Sequence, residues 1–284
     1  MGELRSSRGL KIGLSASNGW WEASRRTRRG RTKWRRRKPF LVFLSIVFLA
    51  ALGGAAYTAS TDISKLLHVG PTRPRAAIVD GLSEDLPNPE LIRDMAERLE
   101  SAGYVVEIFN GSGVSVDFFR RLPSMDFSLI IMRLHGGRLR QPIGLLIGSG
   151  LFAEPFNENK YLEEYLSGYL LRGVPYVGDK DYFVITPHFV SDKLEGRFRG
   201  SAIVVLSCYS AVDEVLASAF LSRGASAFVG VDNVATDIYL DRVGLELVRN
   251  IAGGMSLREA YSKTVEEVGP DPETGASLRY YDKR

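Results

Sequence analysis

Four short segments carry side chains that could act on a substrate, and each follows an apolar, strand-like run. They are Asp80-Gly81, His135-Gly136-Gly137, Cys208-Tyr209-Ser210 and Asp232-Asn233. In parallel α/β sheets, sites form where the carboxyl ends of the strands meet. A cysteine thiolate is a strong nucleophile, and a nearby imidazole can take its proton and later protonate a leaving amine. The pattern therefore predicts a dyad of His135 and Cys208 at one edge of a sheet.

Each of these residues also has a purely structural interpretation. Cysteine is a small hydrophobe that is often buried, although Cys208 follows its apolar run instead of lying within it. His135 could simply end a strand before a glycine turn.

His188 is the alternative catalytic histidine. Ser207 and Ser210 are alternative nucleophiles, although no Gly-x-Ser-x-Gly elbow surrounds them.

Strand-like and helix-like segments alternate between these residues. Predicted strands cover 76–80, 105–109, 128–134, 182–185, 202–207 and 227–231, and predicted helices cover 89–102, 118–122, 213–221, 239–251 and 257–267. For the first helix, Asn88 is the predicted N-cap, Pro89 the first residue and Gly103 the stop. Residues 138–200 are less regular, with a hairpin or loop at 143–152, a helix at 161–171 and a short helix starting at Thr186-Pro187. The alternation predicts an α/β fold with a mainly parallel sheet, helices on both faces and a flavodoxin-like strand order 2-1-3-4.

The charge of the chain is concentrated near its N-terminus. The 284 residues carry 37 Lys and Arg against 33 Asp and Glu, but residues 1–38 alone carry 13 against 2. The remainder is therefore acidic, so we expect no specific binding of nucleic acid by the main domain. With 45% hydrophobic and 25% charged residues, the chain is neither fibrous nor wholly disordered. One cysteine cannot form a disulfide framework or a structural zinc site, and the three histidines share no metal-ligand spacing, so we expect no metal and no cofactor.

An uncharged stretch of twenty residues, Phe40–Ala59, follows the basic tail. A helix needs about 20 residues to cross a bilayer core of about 30 Å. The basic run before the stretch predicts an uncleaved signal anchor over residues 39–59, with the tail 1–38 in the cytoplasm against anionic lipid and the main domain outside the cell membrane. A cleaved signal peptide and a buried core helix are the alternatives. Residues 60–75 are then a linker, and residues 76–284 form one α/β domain.

The order of the motifs resembles the caspase-like cysteine peptidases, a group that includes caspases, metacaspases, gingipain-like peptidases and CHAT domains. The resemblance rests on His-Gly after one apolar strand and Ser-Cys-x-Ser after a later one, and it continues through residues 219–231 and 254–260. It covers most of residues 76–265. It implies a caspase-like three-layer αβα sandwich and a peptide or protein substrate. It also implies His135 as general base, Cys208 as nucleophile, and the backbone N–H groups of Gly136 and Cys208 as an oxyanion hole.

The chain departs from the family pattern at three points. Leu206 stands where metacaspases have an aspartate, the caspase sequence Gln-Ala-Cys-x-Gly is absent, and a second glycine follows Gly136. Aspartate specificity of the caspase type therefore has no support. Gingipain- and metacaspase-like relatives place an acidic residue near the end of the first strand, which implies Asp80 as the counter-charge for a substrate Arg or Lys. Asp232 is the second candidate for that role and Tyr209 a further substrate contact, while capping of the turn before Gly81 is the alternative role of Asp80.

These observations predict a membrane-anchored cysteine endopeptidase. Two alternatives belong to other classes of protein. One is a caspase-like domain that binds a protein partner without turnover. The other is an unrelated α/β domain that holds an anion or another ligand at a helix N-terminus.

Overall fold

The computed structural model describes residues 73–140, 146–176 and 179–283. The strands in these residues are β1 (Arg75–Asp80), β2 (Val105–Asn110), β3 (Leu129–Arg133), β4 (Gly136–Arg140), β5 (Leu146–Pro155), β6 (Leu170–Gly173), β7 (Tyr182–Ile185), β8 (Ala202–Leu206), β9 (Ala227–Val231) and β10 (Leu278–Asp282). The α-helices are α1 (Pro89–Ser101), α2 (Val116–Arg121), α3 (Leu162–Leu166), α4 (Pro187–Asp192), α5 (Val215–Ser222), α6 (Asp237–Ala252) and α7 (Leu257–Val268). Two short 3₁₀-helices, Gly111–Gly113 and Leu122–Met125, flank α2.

The main sheet has the order β10-β9-β8-β3-β1-β2. All of its neighbouring pairs are parallel except β9 and β10, which run antiparallel. The part β2-β1-β3-β8 has the flavodoxin-like order 2-1-3-4 with β8 as the fourth strand, whereas the predicted strand at 182–185 is β7 and lies outside this sheet. The carboxyl ends of β3 and β8, which precede His135 and Cys208, therefore lie side by side.

Helices cover both faces of the main sheet. Its strands are apolar on both sides, as a buried parallel sheet requires, and the residues Ala76–Val79 have no exposed surface. One face carries α1, α6 and α7, with Leu99 and Val243 in the core. The other face carries α2, α4 and α5, with Phe119 and Phe220 in the core. The prediction of a mainly parallel α/β sheet between two helical layers is confirmed.

The first helix has the predicted boundaries. Oδ1 of Asn88 accepts a hydrogen bond from the N–H of Leu91 at 3.2 Å, and Pro89 occupies the first position, where a missing N–H removes no helical bond. The buried residues Leu91, Ile92, Met95, Ala96 and Leu99 form one stripe along the helix. Gly103 follows with φ of +93°, a conformation that favours glycine. The N-cap, the buried stripe and the end of this helix are thus determined by the local sequence.

A second, antiparallel sheet with the order β4-β5-β7-β6 was not predicted. The expected glycine turn after His135 is instead the start of β4, and much of the expected hairpin or loop at 143–152 lies in β5. Glycine is disfavoured in strands, so residue propensities do not predict the strand β4, which begins with two glycines.

The predicted helix over 161–171 is wrong in its second half. The helix α3 ends at Leu166, and Gly168 with φ of +74° reverses the chain direction there. The next residues form β6, which pairs with β7. Pairing with the following strand overrides the helical periodicity of this stretch. The strand β10 was also missed, and it is held by pairing with β9.

The predicted basic tail and the predicted membrane segment Phe40–Ala59 lie outside the described residues, as does most of the linker. Within the described part of the chain, no helix is long and apolar enough to cross a bilayer. The strand β1 begins at Arg75, one residue before the predicted start of the domain. The membrane anchor stays a prediction.

Candidate active site

The ends of β3 and β8 bring His135 and Cys208 to the same edge of the main sheet. Arg133 lies opposite Leu206 in the last pair of the two parallel strands. The N–H of Leu134 then donates to the carbonyl of Leu206 at 3.2 Å, which continues the ladder. Two residues beyond the last pair, this register places His135 opposite Cys208. Both residues therefore lie just beyond the strand ends, at the carboxyl edge of the sheet.

Gly136 shows how closely the two strand ends approach each other. A Cβ atom at this position would lie 2.4 Å from the carbonyl oxygen of Cys208 and 2.3 Å from Oγ of Ser207. A backbone oxygen cannot move aside without moving its segment. Only glycine therefore fits after His135 while the thiol keeps its place.

A cavity of about 230 Å³ joins these residues. His135, Gly136 and Cys208 all line it, so an imidazole, a backbone N–H donor and a thiol border one space. The other walls come from the loop after β1, the loop after β9 and the start of α6. A larger cleft between α1 and β2 has no nucleophile paired with a base. The cavity beside Cys208 is therefore the candidate active site.

A carboxylate and two aromatic rings surround the imidazole of His135. Its Nε2 lies 3.3 Å from Oδ2 of Asp85, without the alignment of a hydrogen bond. The hydroxyl of Tyr182 donates to the same oxygen at 2.6 Å. The ring centroids of Phe152 and Tyr182 lie 6.2 and 6.4 Å from that of the imidazole. Since β5 and β7 carry these two rings, the second sheet positions the imidazole.

Burial determines the protonation state of His135. Desolvation lowers the pKa of His135 below its ordinary value of about 6.5, because burial penalises the imidazolium cation. The carboxylate of Asp85 raises the pKa, and the positive charge of Arg133 lowers it. The imidazole is therefore neutral at pH 7, which is the form that a general base needs.

The loop after β9 holds the thiol of Cys208. The N–H of Ala235 donates to Sγ at 3.4 Å, and the thiol donates to the carbonyl of Ala235 at 3.5 Å. Oδ2 of Asp271 fixes this loop by accepting from the N–H and the hydroxyl of Thr236, at 2.8 and 3.1 Å. Among the described residues the thiol thus bonds the loop backbone and not the imidazole. Catalytic hydrogen bonds are often long in substrate-free sites and shorten when the substrate binds.

The residue that follows the thiol has an uncommon backbone conformation. Tyr209 has φ of 60°, in the left-handed region that side-chain-bearing residues seldom adopt. Its N–H donates to the carbonyl of Asn233 at 2.9 Å, and its ring lies 5.5 Å below the guanidinium carbon of Arg138. Residues held in such conformations cluster at functional sites. Tyr209 lines the cavity, as its predicted role in substrate contact requires.

The thiol is a weak acid in the free protein. Burial raises the pKa of Cys208, and the charge of Asp271 adds to the rise, while the N–H of Ala235 opposes it. Alkylation by iodoacetamide needs the thiolate. We therefore expect slow alkylation at pH 7. Because the pKa of Cys208 is raised, the rate should still increase with pH above about 8.5, which is the ordinary pKa of a thiol.

The measurement is the rate of adduct formation against pH, followed by mass spectrometry. It is simplified because the chain has one cysteine. The same chain unfolded in urea is the control, and its thiol is expected to react faster at pH 7. A rate that reaches its plateau below pH 7 would show a preformed thiolate–imidazolium pair and contradict this prediction.

The two predicted oxyanion donors have no competing acceptor in the adjoining ladder. The carbonyl of His135 accepts from the N–H of Phe152 at 3.1 Å, which makes the next pair, Gly136 and Leu151, a pair without mutual hydrogen bonds. No backbone carbonyl of the described residues accepts from the N–H of Cys208. Both N–H groups therefore have the bonding capacity that an oxyanion needs.

The two acidic residues predicted to receive a basic substrate side chain have internal partners. Oδ1 of Asp80 lies 3.0 Å from Nη1 of Arg133, and this carboxylate is only 5% exposed. Oδ2 of Asp232 lies 2.8 Å from Nη2 of Arg279, and its Oδ1 accepts from the N–H of Ser277 at 2.8 Å. Neither residue lines the cavity. The structure does not bring Asp80 or Asp232 to the thiol.

The alternative catalytic residues also lie away from the cavity lining. His188 is the exposed second residue of α4. The hydroxyl of Ser210 accepts from the N–H of Val231 at 2.9 Å, and Ser207 is fully buried. Of the predicted nucleophiles and bases, Cys208 and His135 are the pair that lines the cavity.

Asp85 and Tyr182 contact the site but are not marked by any motif in the sequence. Asp85 lies in the loop after the first strand, and sites of parallel sheets form in such loops, so its position alone makes it a possible site residue. That loop also holds Glu84, and the fold alone decides which carboxylate meets the imidazole. Tyr182 begins a short strand of the second sheet, which the sequence does not place near His135. Within the described ranges, no three or more His, Cys, Asp or Glu side chains form a group that could hold a metal ion.

The fold and the cavity define an α/β protein with a thiol and an imidazole at the carboxyl edge of a parallel sheet. No family model matches the chain, and a search of curated proteins found no match. Among solved structures, the chain is similar to the Arg-specific cysteine proteinase gingipain R, with a TM-score of 0.42 and 14% identity over 72% of this chain and 46% of that chain. It is also similar to the complex of RgpB pro- and mature domains from Porphyromonas gingivalis, with a TM-score of 0.38 and 13% identity over 68% of this chain and 43% of that one. The chain thus spans less than half of either structure.

Proposed function

We propose that this chain is a cysteine endopeptidase of the caspase-like type, with Cys208 as nucleophile and His135 as general base. The observation that carries the proposal is the common cavity lined by His135, Gly136 and Cys208. The motif order that resembles caspase-like peptidases points to the same two residues. A thiol, a neutral imidazole and two backbone donors are together the groups that acyl transfer requires.

The first half of the reaction forms a thioester. The thiol proton of Cys208 passes to the imidazole of His135 as Sγ attacks the carbonyl carbon of the scissile peptide bond. The carbonyl π electrons move to oxygen, and the N–H groups of Gly136 and Cys208 donate to that oxyanion. When the intermediate collapses, the C–N bond breaks and His135 gives its proton to the leaving amine.

The second half of the reaction releases the acid. His135 is neutral again and takes a proton from a water molecule, whose oxygen attacks the thioester carbonyl. The C–S bond then breaks, the proton returns to sulfur and the carboxyl product leaves. Asp85 stabilises the imidazolium that forms in each half, since its carboxylate lies 3.3 Å from Nε2.

Replacing Asp85 by asparagine is expected to lower kcat/KM by about 10²–10⁴-fold, because the imidazolium loses its counter-charge. The change also removes the group that raises the pKa of His135, so this pKa falls further below about 6.5. The acid limb of the pH profile of kcat/KM therefore moves to lower pH. NMR titration of the His135 ring proton gives the same pKa without turnover. Asp94→Asn on α1 is the matched control, and an acid limb that stays in place in Asp85→Asn would contradict this role.

A peptide ketone that reacts with thiols tests the proposal most directly. The purified chain is treated with chloromethyl ketones of short peptides, and the adduct is mapped by mass spectrometry. We expect modification at Cys208 that is faster than with iodoacetamide, because peptide binding places the ketone in the cavity. Modification that is slower than with iodoacetamide, together with no cleavage of a peptide library, would overturn the proposal.

One observation favours the alternative of a partner-binding domain without turnover. The raised pKa of Cys208 and the bonds of its thiol to Ala235 describe a thiol that is not activated in the free protein. A domain of this kind would bind its partner with the same affinity when Cys208 is replaced by alanine, and it would cleave no peptide. Peptide turnover by the unmodified chain excludes this alternative.

We further propose that the domain is held at the outer face of the cell membrane by residues 39–59, with the basic tail on cytoplasmic lipid. The uncharged stretch Phe40–Ala59 and the 13 basic residues before it support this placement. Protease added to intact cells is expected to digest the main domain and spare the tail. Digestion of the tail alone would reverse the orientation.

A further inference from the structure

The cavity beside Cys208 is lined mainly by apolar side chains. The apolar wall residues are Leu82, Leu86, Leu134, Val234, Ala235 and Leu240. Leu82, Leu134 and Leu240 are at most 4% exposed, so the protein core holds them in place. Leu86 is only partly buried and does not belong to the core clusters. A group that enters this cavity meets hydrocarbon on most sides.

The carboxylates near the cavity are already paired within the protein. Asp80 and Asp241 both bind the guanidinium of Arg133, with contacts of 3.0 and 2.6 Å. Asp85 accepts from Tyr182 and lies against His135. Asp80 does not line the cavity, and its Oδ1 is held by Arg133, whose side chain is 3% exposed. Asp80 is therefore committed to an internal ion pair and not offered to a substrate Arg or Lys in this cavity.

One carboxylate, that of Asp237, does line the cavity. Asp237 is the first residue of α6 and is exposed, so water screens its charge. A basic side chain in the cavity would therefore exchange full hydration for apolar walls and one screened partner. That exchange is unfavourable because burying an incompletely paired charge is costly.

The size of the cavity fits one apolar side chain. An apolar protein cavity of about 150 Å³ stays dry and binds benzene. This cavity has about 230 Å³, and pockets for drug-sized ligands begin at about 300 Å³. A leucine, methionine or phenylalanine side chain is therefore of a size that fits within it.

From these observations we infer that the cavity selects an apolar side chain on the residue whose carbonyl is attacked. The inference rests on the proposed peptidase function, since His135, Gly136 and Cys208 form the wall beside which that carbonyl lies. Leu86 and Leu240 are then specificity-determining residues. The substrate class is a peptide with Leu, Met or Phe before the scissile bond, instead of the Arg or Lys that the sequence suggested.

The test compares substrates that differ only in this one residue. A peptide library is assayed on the full chain, and Leu, Met and Phe substrates are expected to be cleaved with about 10²-fold higher kcat/KM than Arg and Lys ones, a ratio in the range that apolar pockets achieve. Chloromethyl ketones ending in Leu or Arg are expected to show the same order in their rates of alkylation of Cys208. The second readout does not require turnover.

One leucine variant and its control test whether the wall formed by Leu86 determines substrate specificity. Leu86→Ala enlarges the cavity, and we expect kcat/KM for Leu substrates to fall about 10-fold while Phe and Trp substrates gain relative to Leu. Leu166→Ala, an exposed position of α3 that is 75% accessible, is the matched control and leaves the ratios unchanged.

The outcomes separate this inference from the proposed function. If all library peptides are cleaved with equal kcat/KM, or if those with Arg or Lys before the scissile bond are preferred, the inference is overturned while the proposed peptidase function stands. If Asp237→Asn then removes a preference for Arg, the specificity of the cavity is determined by this exposed carboxylate instead of by the apolar walls. No cleavage and no accelerated ketone reaction overturns the peptidase and the inference together.

Discussion

Replacing Cys208 by alanine is expected to lower kcat/KM for peptide hydrolysis by about 10⁴–10⁶-fold, which is the effect of removing a catalytic nucleophile in other peptidases. Without Sγ no thioester can form. The neutral imidazole of His135 can then only assist water, and the residual rate depends on the oxyanion donors and on substrate binding. The measurement is kcat/KM for a fluorogenic peptide under conditions where the unmodified chain is active.

The fold should tolerate this change. Among the residues that the structure describes, the thiol of Cys208 bonds the backbone of Ala235 alone, and the residue is partly exposed, so alanine removes little packing. We expect the midpoint of thermal unfolding to stay within a few degrees of that of the unmodified chain. A variant that is folded and retains more than about one part in a hundred of the activity would refute Cys208 as nucleophile.

Replacing His135 by alanine is expected to lower kcat/KM by about 10²–10⁴-fold, the contribution of a positioned general acid–base. The burial of this imidazole lowers its pKa, so the neutral ring accepts the thiol proton across the neutral pH range. In the variant, activity should increase with pH, because hydroxide and free thiolate replace the missing base. The pH profile of kcat/KM measures this directly.

The chain offers a matched control for the histidine variant. His188 is exposed at the start of α4 and does not line the cavity, so His188→Ala should keep both activity and pH profile. His135→Ala also removes contacts to Phe152 and Tyr182, and its thermal unfolding must be compared. If both histidine variants lose activity equally, the effect is not specific to the site and the dyad is wrong.

The parallel sheet could be predicted because its strands are short, continuous apolar runs. In β1, β3 and β8 nearly every residue is buried on one face or the other, so hydrophobicity alone identifies these strands. Polar residues that follow such runs then lie at the carboxyl edge of the sheet. This argument led to His135 and Cys208 without any knowledge of the register.

The second sheet could not be predicted in the same way. The strand β4 begins with two glycines, and the residues of β6 continue a helical periodicity. Their strand conformation comes from pairing with the next strands along the chain, β5 and β7. Local propensity carries no information about such partners.

The residues that can do chemistry are recognisable before folding, because nucleophile, base and glycine are properties of residue type and of position after an apolar strand. The electrostatic surroundings of these residues arise only in the folded chain. The tertiary structure pairs Asp80 with Arg133 and places Asp85 beside His135, although Asp80 ends β1 and Asp85 lies five residues further along the chain. The physical reason is that the cost of burying a charge depends on which partners the fold brings within a few ångströms. Those distances depend on strand order and packing, which residue types alone do not specify.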